Sequence, residues 1–307
     1  LDKADYPFLA VNLDFSDVEL AEGVPEIEIG EDGASVEENA GKVARSSYVE
    51  VGGERIGLIG RAPADFFNVI NDPDETIPGL DFYGGRDSET NQPEVSAVQQ
   101  VMEQVRLLQS KGINKIILLD HAQDYTADPL AASKLRGIDI LVTAGATGFM
   151  ARPEADGPYN MLRPEDSSGV DYPTILRDRD GNFVVNVNSG QLYRYVGNLI
   201  VTFDSEGHVI GVDPRSGPVA TTPEAIDKLE NKLGRSLATP QRVESIFKAL
   251  TKTPTIQTAF EQVGSTQKPL NGQRANVRGR ATNLGRIAAD STLWYARQAF
   301  PDLGVDV

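Results

Sequence analysis

Apolar and polar positions change period several times along the 307-residue chain. "YPFLAVNLDF" (Tyr6–Phe15) is apolar almost throughout and predicts a short buried strand. "SYVEVGGERIGLIG" (Ser47–Gly60) alternates on both sides of Gly52–Gly53, the pattern of a hairpin. In "PEVSAVQQVMEQVRLLQSKGINKIILLDHA" the apolar residues Val95, Val98, Val101, Met102, Val105 and Leu108 fall on one helical face. Lys111–Gly112 supplies the stop, and "INKIILL" then reads as a strand covered on both faces. "DPLAASKLRG" predicts a short helix and "IDILVTAG" a second buried strand. Helices alternating with such strands imply an α/β layer around a parallel sheet.

Beyond this layer the pattern turns to hairpins and then to helices. Asp180–Gly181 and Glu206–Gly207 sit between alternating runs, and the three or four strands around them are expected to form a second sheet. From Thr221 the chain is helical, with prolines at the early-helix positions 223 and 240. "QKPLNGQRANVRGR" reads as an extended bridge and "ATNLGRIAADSTLWYARQAFP" as an amphipathic helix. Residues 61–92 and 151–171 read as long loops.

Composition narrows the chemistry. The net charge is −16, from 45 Asp and Glu against 29 Lys and Arg, which disfavours nucleic acid and anionic membranes as partners. No cysteine is present, so disulfides, zinc–thiolate sites and thiol nucleophiles are excluded. No apolar run approaches the roughly 20 residues of a membrane span. The chain holds two histidines, His121 and His208. His121 follows the strand "IILLD", where open α/β sheets bind ligands. It reads either as a ligand for Zn, Mn or Fe or as a surface histidine. Asp120 would orient the imidazole, ligate, or cap the next turn. His208, in "DSEGHVIG", reads as a turn residue. "DRDGN" lacks the spacing of a calcium loop and reads as a turn. Arg278 and Arg280 read as linker residues or as phosphate contacts.

The order of these motifs resembles the 5'-nucleotidase family of calcineurin-like metallophosphoesterases. "VEVGGERIGLIGRAP" is similar to the family's "GekIGviG" hairpin, and "GINKIILLDHAQD" to "GvnkIIlLsH". "LRGIDILVTAGATGFMA" is similar to "GiDvIvgGHsHt", and "YRYVGNLIVTFDSEGHVI" to "kYlG.L.v.fd..G". "LNGQRANVRGRATNLGRIAADSTLWYA" is similar to the start of the family's C-terminal, substrate-recognising domain, with Ala281 where Glu is usual. The loops around residues 150–173 look closest to large secreted bacterial members.

The resemblance implies an α/β fold, the second half of a four-layer metallophosphoesterase sandwich over residues 1–220, then a helical linker (221–268) and the start of a C-terminal α/β domain (269–307). It implies His121 as a metal ligand and a two-metal site, with Mn, Zn or similar ions, acting on nucleotides or small phosphate esters. It also implies an extracellular, cell-surface or periplasmic location. The family's Gly-His-x-His motif is replaced, the chain reading Gly145-Ala146-Thr147 with neither histidine. That leaves Asp120 and Thr147 as weak ligands or as groups that orient the imidazole. The family's Asp-x-His, Gly-Asp and Gly-Asn-His motifs are expected before Leu1 and its Asn-Gly-Gly-Gly-Ile-Arg motif after Val307. Remaining segments of the same protein are therefore expected as partners. The alternative is a degenerate relative that keeps the scaffold as a cell-surface or assembly protein.

Overall fold

A computed structural model describes residues 3–18, 26–63, 79–83, 95–121, 132–145, 148–152, 161–164, 166–259, 261–262 and 264–300. The chain divides into two compact units, Leu1–Leu237 and Ala238–Val307.

In the first unit the early strands are β1 (Phe8–Leu9), β2 (Leu13–Asp14), β3 (Ala34–Ser35), β4 (Val43–Ala44), β5 (Ser46–Val51), β6 (Glu54–Arg61) and β7 (Asp81–Phe82). Helix α1 (Val95–Ser110) leads into β8 (Lys115–Asp120) and β9 (Ile140–Thr143). Then come β10 (Thr174–Arg177), β11 (Phe183–Val187), β12 (Tyr195–Asn198), β13 (Val201–Phe203), β14 (Val209–Val212), β15 (Gly217–Ala220) and α2 (Pro223–Leu233).

A seven-stranded sheet in the order β10-β11-β9-β8-β6-β5-β3 organises the unit. Its four central strands, β11, β9, β8 and β6, run parallel. The Gly52–Gly53 hairpin forms as expected, with both glycines at positive φ (62° and 83°), where the mirror-image turn needs them. One sheet face packs Ile59, Leu118, Leu141 and Val184 with Val101, Val105 and Leu108 of α1. The other packs Ile140, Val185 and Val187 with Met150, Tyr172 and Val209. The strands of the parallel core therefore read as continuous apolar runs because both faces are covered.

Three expectations change. The Tyr6–Phe15 strand is broken into β1, paired with β4, and β2, paired with β7. Between them buried Asn12 exchanges both amide groups with the Ala62 backbone, at 2.8 and 3.1 Å, and this side-chain clamp interrupts the ladder. The second sheet does not form as one body. β10 and β11 join the main sheet, while β12–β15 and β13–β14 are separate two-stranded pairs. Of the helix expected over residues 128–137, residues 128–131 lie outside the described residues, and among 132–137 only Ala132 is helical, the rest forming turns and bends.

The second unit contains α3 (Gln241–Leu250), α4 (Pro254–Ala259), α5 (Arg274–Gly279) and α6 (Asn283–Ala299). α5 corrects the extended reading of the bridge. Asn271 Oδ1 accepts from the Gln273 N–H and from Asn276 Nδ2, a local side-chain contact beside the start of the helix that apolar periodicity does not announce. Thr222 and Thr282 cap α2 and α6 through their hydroxyls.

The buried Asp139, at the amino end of β9, is 5% exposed and accepts the Ile116 N–H at 2.8 Å. Desolvation raises its pKa to about 7, opposed by that hydrogen bond; His208 and Lys115 lower it and Asp178 raises it. The folded state therefore holds a proton that the unfolded chain releases near the ordinary value of 3.8. Stability from this group is complete below that value and is lost as pH rises to about 7. Asp139→Asn, measured by urea unfolding from pH 4 to pH 8, should remove a pH-dependent loss of a few kcal/mol in the wild type.

Candidate functional site

Ligands of open parallel sheets collect beyond the carboxyl ends of the strands. Here that edge carries a polar row. Arg61 ends β6, Asp120 ends β8 and Thr143 ends β9, and the register pairs Arg61 with Asp120 and Asp120 with Thr143. Asn188 follows β11, one residue beyond the Val187–Val142 pair. All four are buried on the face that holds Ile59, Leu118 and Leu141. The row thus caps an apolar layer with polar side chains.

The row is tied together internally. Arg61 Nε and Nη2 donate to Asp120 Oδ1 and Oδ2 at 2.6 and 2.7 Å, with the two side chains 5% and 1% exposed. This planar, two-point geometry is the strong form of the pair. Asn188 Nδ2 donates to the Thr143 carbonyl at 2.9 Å, and Thr143 Oγ1 to the Val187 carbonyl at 3.2 Å.

His121 is the next residue after Asp120. Its backbone N–H donates to the Arg61 carbonyl at 3.1 Å, and its imidazole lies exposed. Gly145 follows at the end of β9 with φ 85° and has no side chain to offer. Thr147 lies outside the described residues. Both oxygens of Asp120 are engaged by Arg61. Among the described residues no group of three or more His, Asp or Glu side chains converges. His121 fits a metal as one nitrogen donor, and the described donors do not make a two-metal centre by themselves.

Other residues singled out from the sequence lie elsewhere. His208 sits on the β13–β14 turn beside the amino end of the sheet, its N–H donating to Asp204 Oδ1 at 2.9 Å. The six residues of β8 separate the two ends by roughly 20 Å. "DRDGN" is a turn, with Asp178 Oδ1 accepting from Asp180 and Asn182 N–H at 2.9 Å each. Arg280 donates to Asn276 Oδ1 at 2.6 Å, and the Arg278 side chain lies outside the described residues. A cavity of about 760 Å³, lined by Tyr172, Ile175, Phe183, Val185, Ile210 and Val212 among others, opens beside β10 and β14 rather than at the carboxyl edge.

Sequence reasoning missed Arg61, Thr143 and Asn188. A charged residue closing the apolar run "IGLIG", with an acid closing "KIILL", was the available signal. Asp120→Asn should destabilise the protein by about 3–5 kcal/mol, because it strands a buried guanidinium. The double variant Arg61→Met/Asp120→Leu should recover most of that loss in urea unfolding.

No protein-family model matches the chain. A snake venom 5'-nucleotidase of Gloydius brevicauda is 25% identical over 86% of the chain, and a 5'-nucleotidase of Diplobatis ommata 27% identical over 87%. The chain spans 38% and 39% of these relatives' lengths. The crystal structure of a 5'-nucleotidase precursor from Thermus thermophilus matches 95% of the chain and 46% of its own, with TM-score 0.64 and 23% identity. The NAD nucleotidase of Haemophilus influenzae matches 80% of the chain and 45% of its own, with TM-score 0.50 and 20% identity. Along most of its length the chain is thus similar, at low identity, to curated 5'-nucleotidases, and it shares the fold of the Thermus structure.

Proposed function

We propose that the chain is part of an extracellular phosphoesterase of the 5'-nucleotidase kind, hydrolysing nucleotides or other small phosphate esters. The observation that carries this is the exposed His121 imidazole at the carboxyl end of a central parallel strand. It supports a role for His121 as one ligand of a divalent-metal centre, Mn or Zn, whose other ligands lie outside the described residues. Such a centre supplies Lewis-acid charge at the phosphoryl oxygens. The chain's own residues hold the platform: Arg61 fixes Asp120, and the Arg61 carbonyl anchors the backbone of His121. Residues 269–307 are proposed to open a C-terminal substrate domain. Named relatives that include venom proteins support the extracellular reading.

A second reading keeps the scaffold without turnover. Gly145 in place of a family histidine and the engagement of Asp120 by Arg61 favour it.

Metal content and nucleotide hydrolysis of the full-length protein separate the two. The wild type should hold Mn or Zn, and His121→Ala should lower kcat/KM roughly a hundredfold or more, as loss of several kcal/mol of charge stabilisation requires. A wild type with neither metal nor activity supports the scaffold reading.

A further inference from the structure

In the second unit one asparagine of the chain is followed by glycine: Asn271–Gly272, just ahead of α5. Asparagine is a labile side chain because its own backbone can attack it. The attacking atom is the backbone nitrogen of the next residue, and the target is the asparagine Cγ. Glycine, with no Cβ, permits that close approach. Whether the pair reacts depends on three groups: the nitrogen, the carbonyl it attacks and the amide that leaves.

The nitrogen is uncommitted. The Asn271 N–H donates to Asn283 Oδ1 at 2.8 Å and the Gln273 N–H to Asn271 Oδ1 at 3.3 Å. Between them, the exposed Gly272 N–H has no acceptor among the described residues.

The carbonyl is polarised. Asn271 Oδ1 accepts from the Gln273 N–H and also from Asn276 Nδ2, at 3.2 Å. Both donors face the oxygen on which negative charge collects during attack at Cγ. The leaving amide is also uncommitted, since Asn271 Nδ2 makes no hydrogen bond among the described residues. Asn188, followed by the small Ser189, differs on each count. It is 2% exposed, and its Nδ2 is held by the Thr143 carbonyl at 2.9 Å.

We propose that Asn271–Gly272 is a site of self-modification, converting through a succinimide to aspartate and isoaspartate. A bond forms between the Gly272 nitrogen and Asn271 Cγ. The Cγ–Nδ2 bond breaks, and the amide leaves as ammonia with the proton that Gly272 loses. Water then opens the five-membered ring at either carbonyl. One opening gives aspartate; the other routes the main chain through Cγ and gives isoaspartate, one methylene longer. That methylene falls between the Asn271 N–H, tied to Asn283 at the start of α6, and Gln273 at the start of α5. The modification therefore alters how the heads of these two helices are linked. It goes beyond the phosphoesterase reading and does not depend on it.

Peptide mass spectrometry of the full-length protein, sampled over time at pH 6, 7 and 8, tests this. The peptide holding Asn271 should exchange an amino for a hydroxyl group and split into two products. It should do so roughly tenfold or more faster than any other asparagine peptide, and roughly tenfold faster per pH unit, because the deprotonated nitrogen attacks. Asn276→Ala removes one donor to Oδ1 and should slow the conversion several-fold. Gly272→Ala should slow it further, and its Cβ would meet only the end of the Leu284 side chain, at 2.9 Å. An Asn271 peptide that stays unconverted, converts no faster than the others, or converts equally in Gly272→Ala overturns the proposal. Conversion unchanged in Asn276→Ala overturns the role of the polarised carbonyl.

Discussion

The carboxyl edge of the sheet depends on one buried ion pair. Arg61 and Asp120 end neighbouring parallel strands, and neither is solvated. Each is tolerable there only because the other neutralises it through two hydrogen bonds. The pair fixes the ends of β6 and β8, and the carbonyl of Arg61 then receives the His121 N–H. Thr143 and Asn188 extend the same arrangement across β9 and β11. The position of His121 and of the loops after β9 and β11 follows from this row.

The two ends of the sheet are built differently. The amino end holds Asp139, whose carboxyl is desolvated and raised, near His208 and Lys115. That is the largest perturbation of a carboxyl group among the described residues, and it belongs to the fold rather than to the candidate site. The 760 Å³ cavity likewise lies away from His121. Neither a shifted carboxyl nor a large apolar hollow locates function here. The proposed site rests on strand direction instead, because parallel strands place their loops on a common edge.

Much of the fold was legible in the chain. The runs "ERIGLIG", "INKIILL" and "IDILV" are apolar because both faces of their sheet are covered, and the glycine turns at 52–53, 181 and 207 force positive φ. The breaks were not legible. Asn12 interrupts a run that is otherwise apolar, and its partner Ala62 is 50 residues away. Asn271 contacts the start of α5 through a side-chain acceptor that periodicity ignores. His121 was legible by strand position. Arg61 was legible only as a charge closing an apolar run; its pairing with Asp120 appears when register sets the two side by side.

The central claim is that His121, and not the Asp120 carboxylate beside it, faces the chemistry of this edge. Anomalous diffraction from crystals of the full-length protein grown with Mn²⁺ tests it most directly. The account predicts a metal peak about 2.0–2.2 Å from a His121 ring nitrogen, with Asp120 still paired to Arg61. A metal ligated by Asp120 with Arg61 displaced, or a metal bound with His121 pointing away, would contradict it.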